Sequence, residues 1–465
     1  MIPAYTLTLT ETFHAQLRQH LFPGDGKEAT AILICTRVPG ERIRLLTRDL
    51  ILVPHNECSY RGDGSITWLS DYIEQAIDIA TPRQLSIILI HSHPSGYPQF
   101  SSIDDRSDEE IIPCIFEACG QLHGTAVMIP TGVVFGRIYS QEMVMAPLNL
   151  VSVVGPDLHY WWGSDSNRPI GRPMTFTSAM TNELSHLTAC VVGASGTGSI
   201  VAEQLCRLGF GRVILIDHDK VETKNLNRIL NTTRADAVNE RPKVEVLAER
   251  MNAYRNKPYA IPIETNVLTL KAVIAASQAD VLFSCVDTHG GRSVADRIAS
   301  AFLLPLFDVG VAIPTRDTEN GKKAIDEVTG RIDYVYPGGS SLLDRGVYSA
   351  ATLQAEDLAE SDPVAHTDQI KRGYIEGLPE QAPSVITLNM RAASACVMEF
   401  IARAYPFRHE SNAYHARTRF MLAEGIEEFS AESEFKARVS PYLALGDCEP
   451  LLGLPILTKK KEYDL

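Results

Sequence analysis

VVGASGTGSIVAEQLCRLGFGRVILIDHDKVETKNLNR, residues 191–228, decides the fold. TACVV precedes and overlaps it as a short apolar strand, and a glycine loop then opens a helical segment, SIVAEQLCRLG. RVILID follows as a second strand. The alternation continues through KVEVLAERMNAY, DVLFSCVD, VADRIASAF and LPLFDVG. Short apolar strands separated by helices predict a Rossmann-like parallel sheet covered on both faces. In the loop, Gly193, Ser195, Gly196 and Gly198 leave backbone N–H groups and a positive helix end free to hold phosphate. Asp217 ends the next strand about twenty residues on, where a carboxylate meets ribose hydroxyls. On these residues alone a dehydrogenase and an ATP-using enzyme read equally well.

The residues that follow favour ATP. DHDKVETKNLNR supplies Asp217, Asp219, Asn225 and Arg228, and RPK adds Lys243. Activating a carboxylate with ATP needs cations around the triphosphate and a Mg²⁺ ligand, because charge moves onto departing pyrophosphate. Arg228 and Lys243 can supply the cations. Asp287, at the end of DVLFSCVD, can supply the ligand. The block resembles D-x-D-x-V-x-x-x-N-L-x-R of the ThiF/MoeB superfamily, the adenylation domains shared with ubiquitin-activating enzymes. It matches at Asp217, Asp219, Val221, Asn225, Leu226 and Arg228. The resemblance runs from about 183 to 310 and returns at APSVITLN (382–389). It implies that Asp217 holds ribose, that Asn225, Arg228 and Lys243 contact phosphates, and that Asp287 holds Mg²⁺. It also implies a homodimer, with Arg168 or Arg172 reaching the partner's site.

Two departures from that pattern carry expectations. Where relatives place a paired-cysteine zinc clip, this chain reads PGGSSLLDRG, with Ser341 and Asp344 at those places, so no structural zinc is expected there. No cysteine lies between Cys285 and Cys396, the crossover region where activating enzymes of this kind carry a nucleophile. Cys285 and Cys396 read as core, and Cys448 as the exposed cysteine.

A second chemistry stands in HSHPSGYPQFSSID (91–104), which follows the apolar run LSIILI. Histidines two apart on a strand face the same way. Ser101 and Ser102 can cap the acidic segment, setting Asp104 in a first helical turn. Two imidazoles and a carboxylate leave a fourth zinc position open. The stretch resembles the H-x-H-P-x6-S-x-x-D motif of the JAB/MPN (JAMM) metallopeptidases, matched at His91, His93, Pro94, Ser101 and Asp104. That resemblance implies Zn²⁺ on His91, His93 and Asp104, with Ser101 steadying an oxyanion. It implies Glu28 as general acid/base; Glu41 and Glu57 also lie upstream, but Glu28 opens an apolar strand.

Composition frames both halves. The chain has 465 residues, enough for two or three domains, and a net charge of −14, which argues against broad nucleic-acid or anionic-membrane binding. Nine scattered cysteines without a CxxC pair form no disulfide framework. With neither a secretory signal nor a membrane-length apolar run, a cytoplasmic protein is expected. The domain reading is an N-terminal α+β metallopeptidase over 1–145, a linker over 146–180 that packs on its neighbours because WW is too apolar for a free tether, an α/β adenylation domain over 181–450 and a tail over 451–465. Within the N-terminal unit, strands are expected in EATAILIC, RIRLLTRDLILV, QLSIILIH, TAVMIP and VVFGRIY, with helices in LSDYIEQAIDIA and DRSDEEIIPCIFEACG. The segment 314–380 reads as polar and irregular, with a hairpin-like stretch, DEVTGRIDYVYPGG, inside it.

Together the resemblances imply a bifunctional enzyme of a bacterial ubiquitin-like modification system. One half would cleave at the C-terminus of a ubiquitin-like protein, and the other would adenylate such a C-terminus, with a conjugating enzyme as a further partner. Activation of a sulfur-carrier protein and a non-catalytic scaffold are the alternatives.

Overall fold

The computed structural model describes residues 2–38, 40–120, 122–163, 172–318, 322–364, 366, 385–438, 445–447, 451–454 and 457. Arg168, Cys448 and positions 382–384 of the expected return segment lie outside them.

The N-terminal half opens with β1 (Tyr5–Thr10), α1 (Glu11–Leu21), β2 (Thr30–Arg37) and β3 (Ile43–Leu52). A short hairpin, β4 (Cys58–Arg61) with β5 (Ile66–Trp68), leads to α2 (Asp71–Ala80) and β6 (Ser86–Ser92). Then come α3 (Ser102–Ala118), β7 (His123–Met128), β8 (Val134–Tyr139), β9 (Met145–Pro147), β10 (Leu150–Val154) and β11 (Leu158–Trp162). Nine of these strands form one sheet in the order β11-β10-β1-β3-β2-β6-β7-β8-β9. The continuous apolar run of β2 has a simple cause: both of its faces are covered. Ala31, Leu33 and Cys35 pack with Leu17 and Leu21 of α1, while Ile32 and Ile34 pack with Ala76, Ala80, Ile112 and Ile115 of α2 and α3.

The second half begins with α4 (Ser178–Leu184), β12 (Thr188–Val192), α5 (Gly196–Leu208) and β13 (Arg212–Asp217). It continues through α6 (Arg234–Val238), α7 (Lys243–Arg255), β14 (Ala260–Glu264), α8 (Leu270–Ser277), β15 (Val281–Ser284), α9 (His289–Ala301) and β16 (Leu306–Ala312). Strands β14-β13-β12-β15-β16 are parallel, as the alternation of strand and helix requires. The sheet does not stop there. The 314–380 stretch holds a hairpin, β17 (Thr315–Asp317) with β18 (Lys323–Ile325), then β19 (Thr329–Val335) and α10 (Ala350–Ser361). β19 adds antiparallel to β16 and is followed outward by β20 (Arg417–Met421) and β21 (Ile426–Ser430). The sheet is therefore mixed. A helix at Ile386–Ala404 covers it, burying Cys396 and Phe400 in the core.

Two boundary segments join the fold. The first part of 146–180, expected to pack on its neighbours, does so as strands: β10 pairs parallel with β1 and β11 pairs with β10. Leu150, Val154 and Leu158 meanwhile fill the core of the second half. In the 451–465 tail, Leu452 and Leu457 are buried under α9 and its neighbours. Val38 and Leu46 of the first half enter that same cluster, so the two halves share apolar surface that neither covers alone. No helix among the described residues is long and apolar enough to cross a membrane.

Candidate functional site

The first site is set by strand register. β2 and β6 run antiparallel with Thr30 opposite His91, and Ser92 donates its N–H to the Ala29 carbonyl. Continuing that register puts Glu28 across from His93, on the face both histidines share. Beyond β6, His93 Nδ1 lies 2.9 Å from the Tyr97 carbonyl. That contact makes Nδ1 the donor and leaves the Nε2 lone pair facing inward. Ser101 is the N-cap of α3: its hydroxyl accepts from the N–H groups of Ile103 and Asp104, and Asp104 accepts from the Ser101 N–H at 2.6 Å. A reciprocal capping box thus fixes the Asp104 carboxylate beside the histidines.

The three groups converge. His91 Nε2 and His93 Nε2 are 3.1 Å apart, His91 Nε2 is 3.1 Å from Asp104 Oδ1, and His93 Nε2 is 3.5 Å from Asp104 Oδ2. Ligands on a tetrahedral metal with bonds of 2.0–2.1 Å stand about 3.3 Å apart. The donor set therefore fits a zinc-sized cation. Glu28 is almost wholly buried. Burial raises its pKa, the neighbouring histidines oppose that rise, and Asp104 adds to it. The Asp104 carboxyl is held far below the carboxylate range because its hydrogen bonds to His91, His93 and the Ser101 N–H outweigh burial. Glu41 is exposed in the β2–β3 connection, while Glu57 is bound by the Tyr72 hydroxyl, away from this cluster.

Behind α3 lies a network that was not read from the sequence. Asp108, buried, accepts from Thr125 and Tyr139 hydroxyls and from Arg137. Arg137 also pairs with Asp105 at 2.6 Å and lies 3.9 Å over the Phe100 ring. One guanidinium therefore holds both the loop before Ser101 and the helix that carries Asp104. Its sequence signal, an arginine inside an otherwise apolar strand, was available.

The second site sits where β12 meets α5. Gly193 has φ +87°, and a Cβ there would stand 2.8 Å from the Cys285 carbonyl oxygen; at Gly198 it would collide with the Gly193 carbonyl. Both glycines are thus required by backbone approach. At Gly196 a Cβ would meet the Asn389 amide and, at 3.2 Å, Arg228 Cδ. Arg228 therefore lies along the loop, where its guanidinium donates to the Lys224 carbonyl and Asn227. Asp217 accepts from the N–H groups of Ala194 (2.6 Å) and Asp219 (2.8 Å), tying the loop to the next strand. Lys243 is buried at the start of α7 and pairs with Asp219 at 2.7 Å. Asn225 is buried and accepts from the Glu222 N–H. Asp287 is exposed just past β15. The loop, Asp217, Arg228 and Lys243 come together, while Asp287 joins no three-ligand group among the described residues.

Other expectations are met differently. Ser341 donates to Asp344 at 2.8 Å within a turn. Arg172 points inward, donating to the Leu158 carbonyl and lining a cavity between the halves of about 1140 Å³. Among the described cysteines the exposed one is Cys114 of α3; Cys448 lies outside the described residues. Cys190, Cys285 and Cys396 have thiol pKa values pushed up by burial.

A glycine loop at the carboxyl end of the central strand β12, with an acidic residue closing β13, defines a Rossmann-type α/β domain. The chain belongs to the ThiF family, whose profile matches residues 169–417. Among curated proteins it resembles ubiquitin-like modifier-activating enzyme 5 of Culex quinquefasciatus, 28% identical over 168 residues, covering 34% of this chain and 38% of that protein. The Drosophila ananassae protein of the same name is 31% identical over 163 residues, covering 32% and 37%. The matched region thus spans less than two-fifths of these relatives' length. Among solved structures, E. coli MccB with ATP gives a TM-score of 0.42 at 15% identity, over 56% of this chain and 68% of that one. MccB in complex with N-formylated MccA gives 0.43 at 17%, over 56% and 69%.

Proposed function

We propose that this chain is a bifunctional enzyme acting on one kind of partner, the C-terminal tail of a ubiquitin-like protein. The second half adenylates that tail with ATP and Mg²⁺, and the first half hydrolyses the peptide or isopeptide bond formed by it. The observation that carries the reading is the tetrahedral spacing of His91, His93 and Asp104 in a chain whose other half is of the ThiF family.

In the hydrolytic half, His91, His93 and Asp104 would hold Zn²⁺. Such an ion lowers the pKa of a water towards neutrality and polarises a carbonyl. Glu28, whose pKa burial raises, would serve as the general acid/base, accepting a proton from water and passing it to the leaving amine. The Ser101 hydroxyl accepts from two backbone N–H groups, so its own proton remains free to steady a developing oxyanion. In the adenylating half, the N–H groups from Gly193 to Gly198 cradle phosphate and Asp217 meets ribose. Arg228 and Lys243 balance charge on the leaving pyrophosphate, Asn225 supports the same wall, and Asp287 binds Mg²⁺. Asp219 holds Lys243 in place.

Sulfur-carrier activation is the second reading. It is favoured by the raised thiol pKa values of buried Cys190 and Cys396 and of partly buried Cys285, which leave none of them a ready thiolate. A conjugating enzyme as partner and a homodimer belong to the first reading. The deciding experiment is carrier-dependent ATP–pyrophosphate exchange together with metal content of the purified chain. Exchange plus one zinc per chain supports the proposal, whereas neither exchange nor zinc would leave only a binding scaffold.

A further inference from the structure

A second cavity, about 360 Å³, opens at the carboxyl end of β16 and runs over β19 to β20. Its walls carry Arg292, Arg331, Arg345, Arg417 and Arg419. Three carboxylates answer these five guanidiniums. Arg331 pairs with both Asp308 and Asp333 at 2.6 Å, Arg345 with Asp333 (3.3 Å) and Glu432 (2.7 Å), and Arg417 with Asp333 at 2.8 Å. Asp308 and Asp333 have no exposed surface, so their charge is spent inside the wall rather than presented to the cavity. Arg292 lies 3.5 Å from Asp308, and its buried Nε has no hydrogen-bond partner among the described residues. Arg419 is exposed, opposite Glu428 in the β20–β21 pairing. The floor is kept open by Gly310, where a Cβ would stand 3.1 Å from Arg331 and 3.5 Å from Arg292.

We infer that this cleft binds side-chain carboxylates in the extended tail of the protein substrate. The inference rests on the adenylating reading only in taking the anion to be part of a substrate tail. Ligands of α/β sheets approach at the carboxyl ends of the strands, and β16 ends two strands from the nucleotide loop of β12. Arg292 stands in the first turns of α9, five residues after Asp287, and Arg419 stands at the far side of the cleft. Crossing from β16 to β20 takes two strand spacings, about 10 Å, which an extended peptide covers in roughly three residues. The track of guanidiniums thus leads from the activation site outward along a path of peptide length. Arg345 is fully engaged in the wall, through Ser340, Asp333, the Ala416 carbonyl and Glu432, so the donors left for an incoming carboxylate are those of Arg292 and the exposed Arg419, with Arg331 and Arg417 adding positive charge beside them. The cleft begins two strand spacings from the loop and spans two more, so acidic residues are expected roughly three to six positions from the tail's activated end.

The test uses the full chain and two fluorescein-labelled peptides, Glu-Glu-Glu-Gly-Gly and Gln-Gln-Gln-Gly-Gly, with binding read by fluorescence anisotropy. The acidic peptide should bind at least roughly fivefold tighter, and lose that advantage between about 50 and about 300 mM salt. Arg419→Glu, on an exposed position, should weaken the acidic peptide roughly fivefold or more while leaving the glutamine peptide and ATP binding unchanged. Arg331→Gln should do the same, with circular dichroism checking its fold. Equal binding of the two peptides, or indifference to Arg419→Glu, overturns the inference. Displacement of the acidic peptide by equimolar inorganic pyrophosphate, abolished by Arg419→Glu, also overturns it and makes the cleft a small-anion site. None of these readouts requires adenylation, so failure of pyrophosphate exchange stays distinguishable from failure of this site.

Discussion

The Arg42 guanidinium holds both oxygens of the Asp280 carboxylate, at 2.7 and 3.0 Å, across 238 residues of sequence. Both side chains are buried, and Asp280 also accepts from the Thr188 N–H at the start of β12. Arg42 donates further to the carbonyls of Pro3 and Gln278. This pair ties the first sheet to the second. Arg42→Ala would leave a buried carboxylate without its cation, a loss of about 3–5 kcal/mol. Urea denaturation should show one cooperative transition in the parent, shifted to lower urea in the variant. Two separated transitions in the parent would mean the halves fold independently.

At the first site, His93→Ala should remove zinc, because two remaining ligands seldom hold it. Glu28→Gln should keep zinc and lose hydrolysis, since it keeps the shape and removes the proton carrier. Metal analysis beside a cleavage assay separates the two, and zinc loss in Glu28→Gln would make the glutamate mainly structural. Ser101→Ala should cost about 1 kcal/mol of stability through loss of the α3 cap, measured by thermal melting.

Two glycines of the loop should respond differently to one methyl group. Gly198→Ala drives a Cβ into the Gly193 carbonyl, so ATP binding should fall beyond detection by calorimetry. Gly196→Ala meets the end of the Asn389 side chain, which can swing away, so a loss of about tenfold or less is expected. Equal effects would mean that the loop moves as a unit.

Asp296 provides a pH dependence away from both sites. It is buried beneath the turn at 341–344, accepts from the Leu342 N–H and the Tyr348 hydroxyl, and has its pKa raised by desolvation to about 6. A carboxyl whose folded pKa lies above its unfolded value of 3.8 stabilises fully below that value and loses the contribution as pH rises through about 6. Relative to Asp296→Asn, the parent should therefore lose about 3 kcal/mol of unfolding free energy between about pH 4 and pH 7. Urea midpoints at both ends measure it, and a constant difference between the two proteins would exclude the shift.

Much of the architecture was legible because its signals are local. Continuous apolar runs marked β2, β6, β12, β13 and β15, and the reason is that both faces of those strands are covered. Strands β20 and β21 were not legible. RTRFM and IEEFS carry charges on an outer edge of the sheet, so their pairing depends on β19 being beside them rather than on their own pattern. The 146–162 stretch is a related case: its packing was legible but its strands were not, since its leucines and valines serve a core built mainly from residues beyond 180.

The sequence by itself determined which chemistry could occur. Spacing of two placed both histidines on one face, a capping serine placed Asp104 in a first turn, and the glycines left a loop that only Gly can form. Only the tertiary structure decided what those groups meet. The register of β2 on β6 set Glu28 opposite His93, and Asp217 spent its oxygens on the loop as well as facing the site. Distant strands brought five arginines around one cleft. The physical reason is that periodicity is a property of a few neighbouring residues, whereas register and shared burial depend on segments hundreds of residues apart.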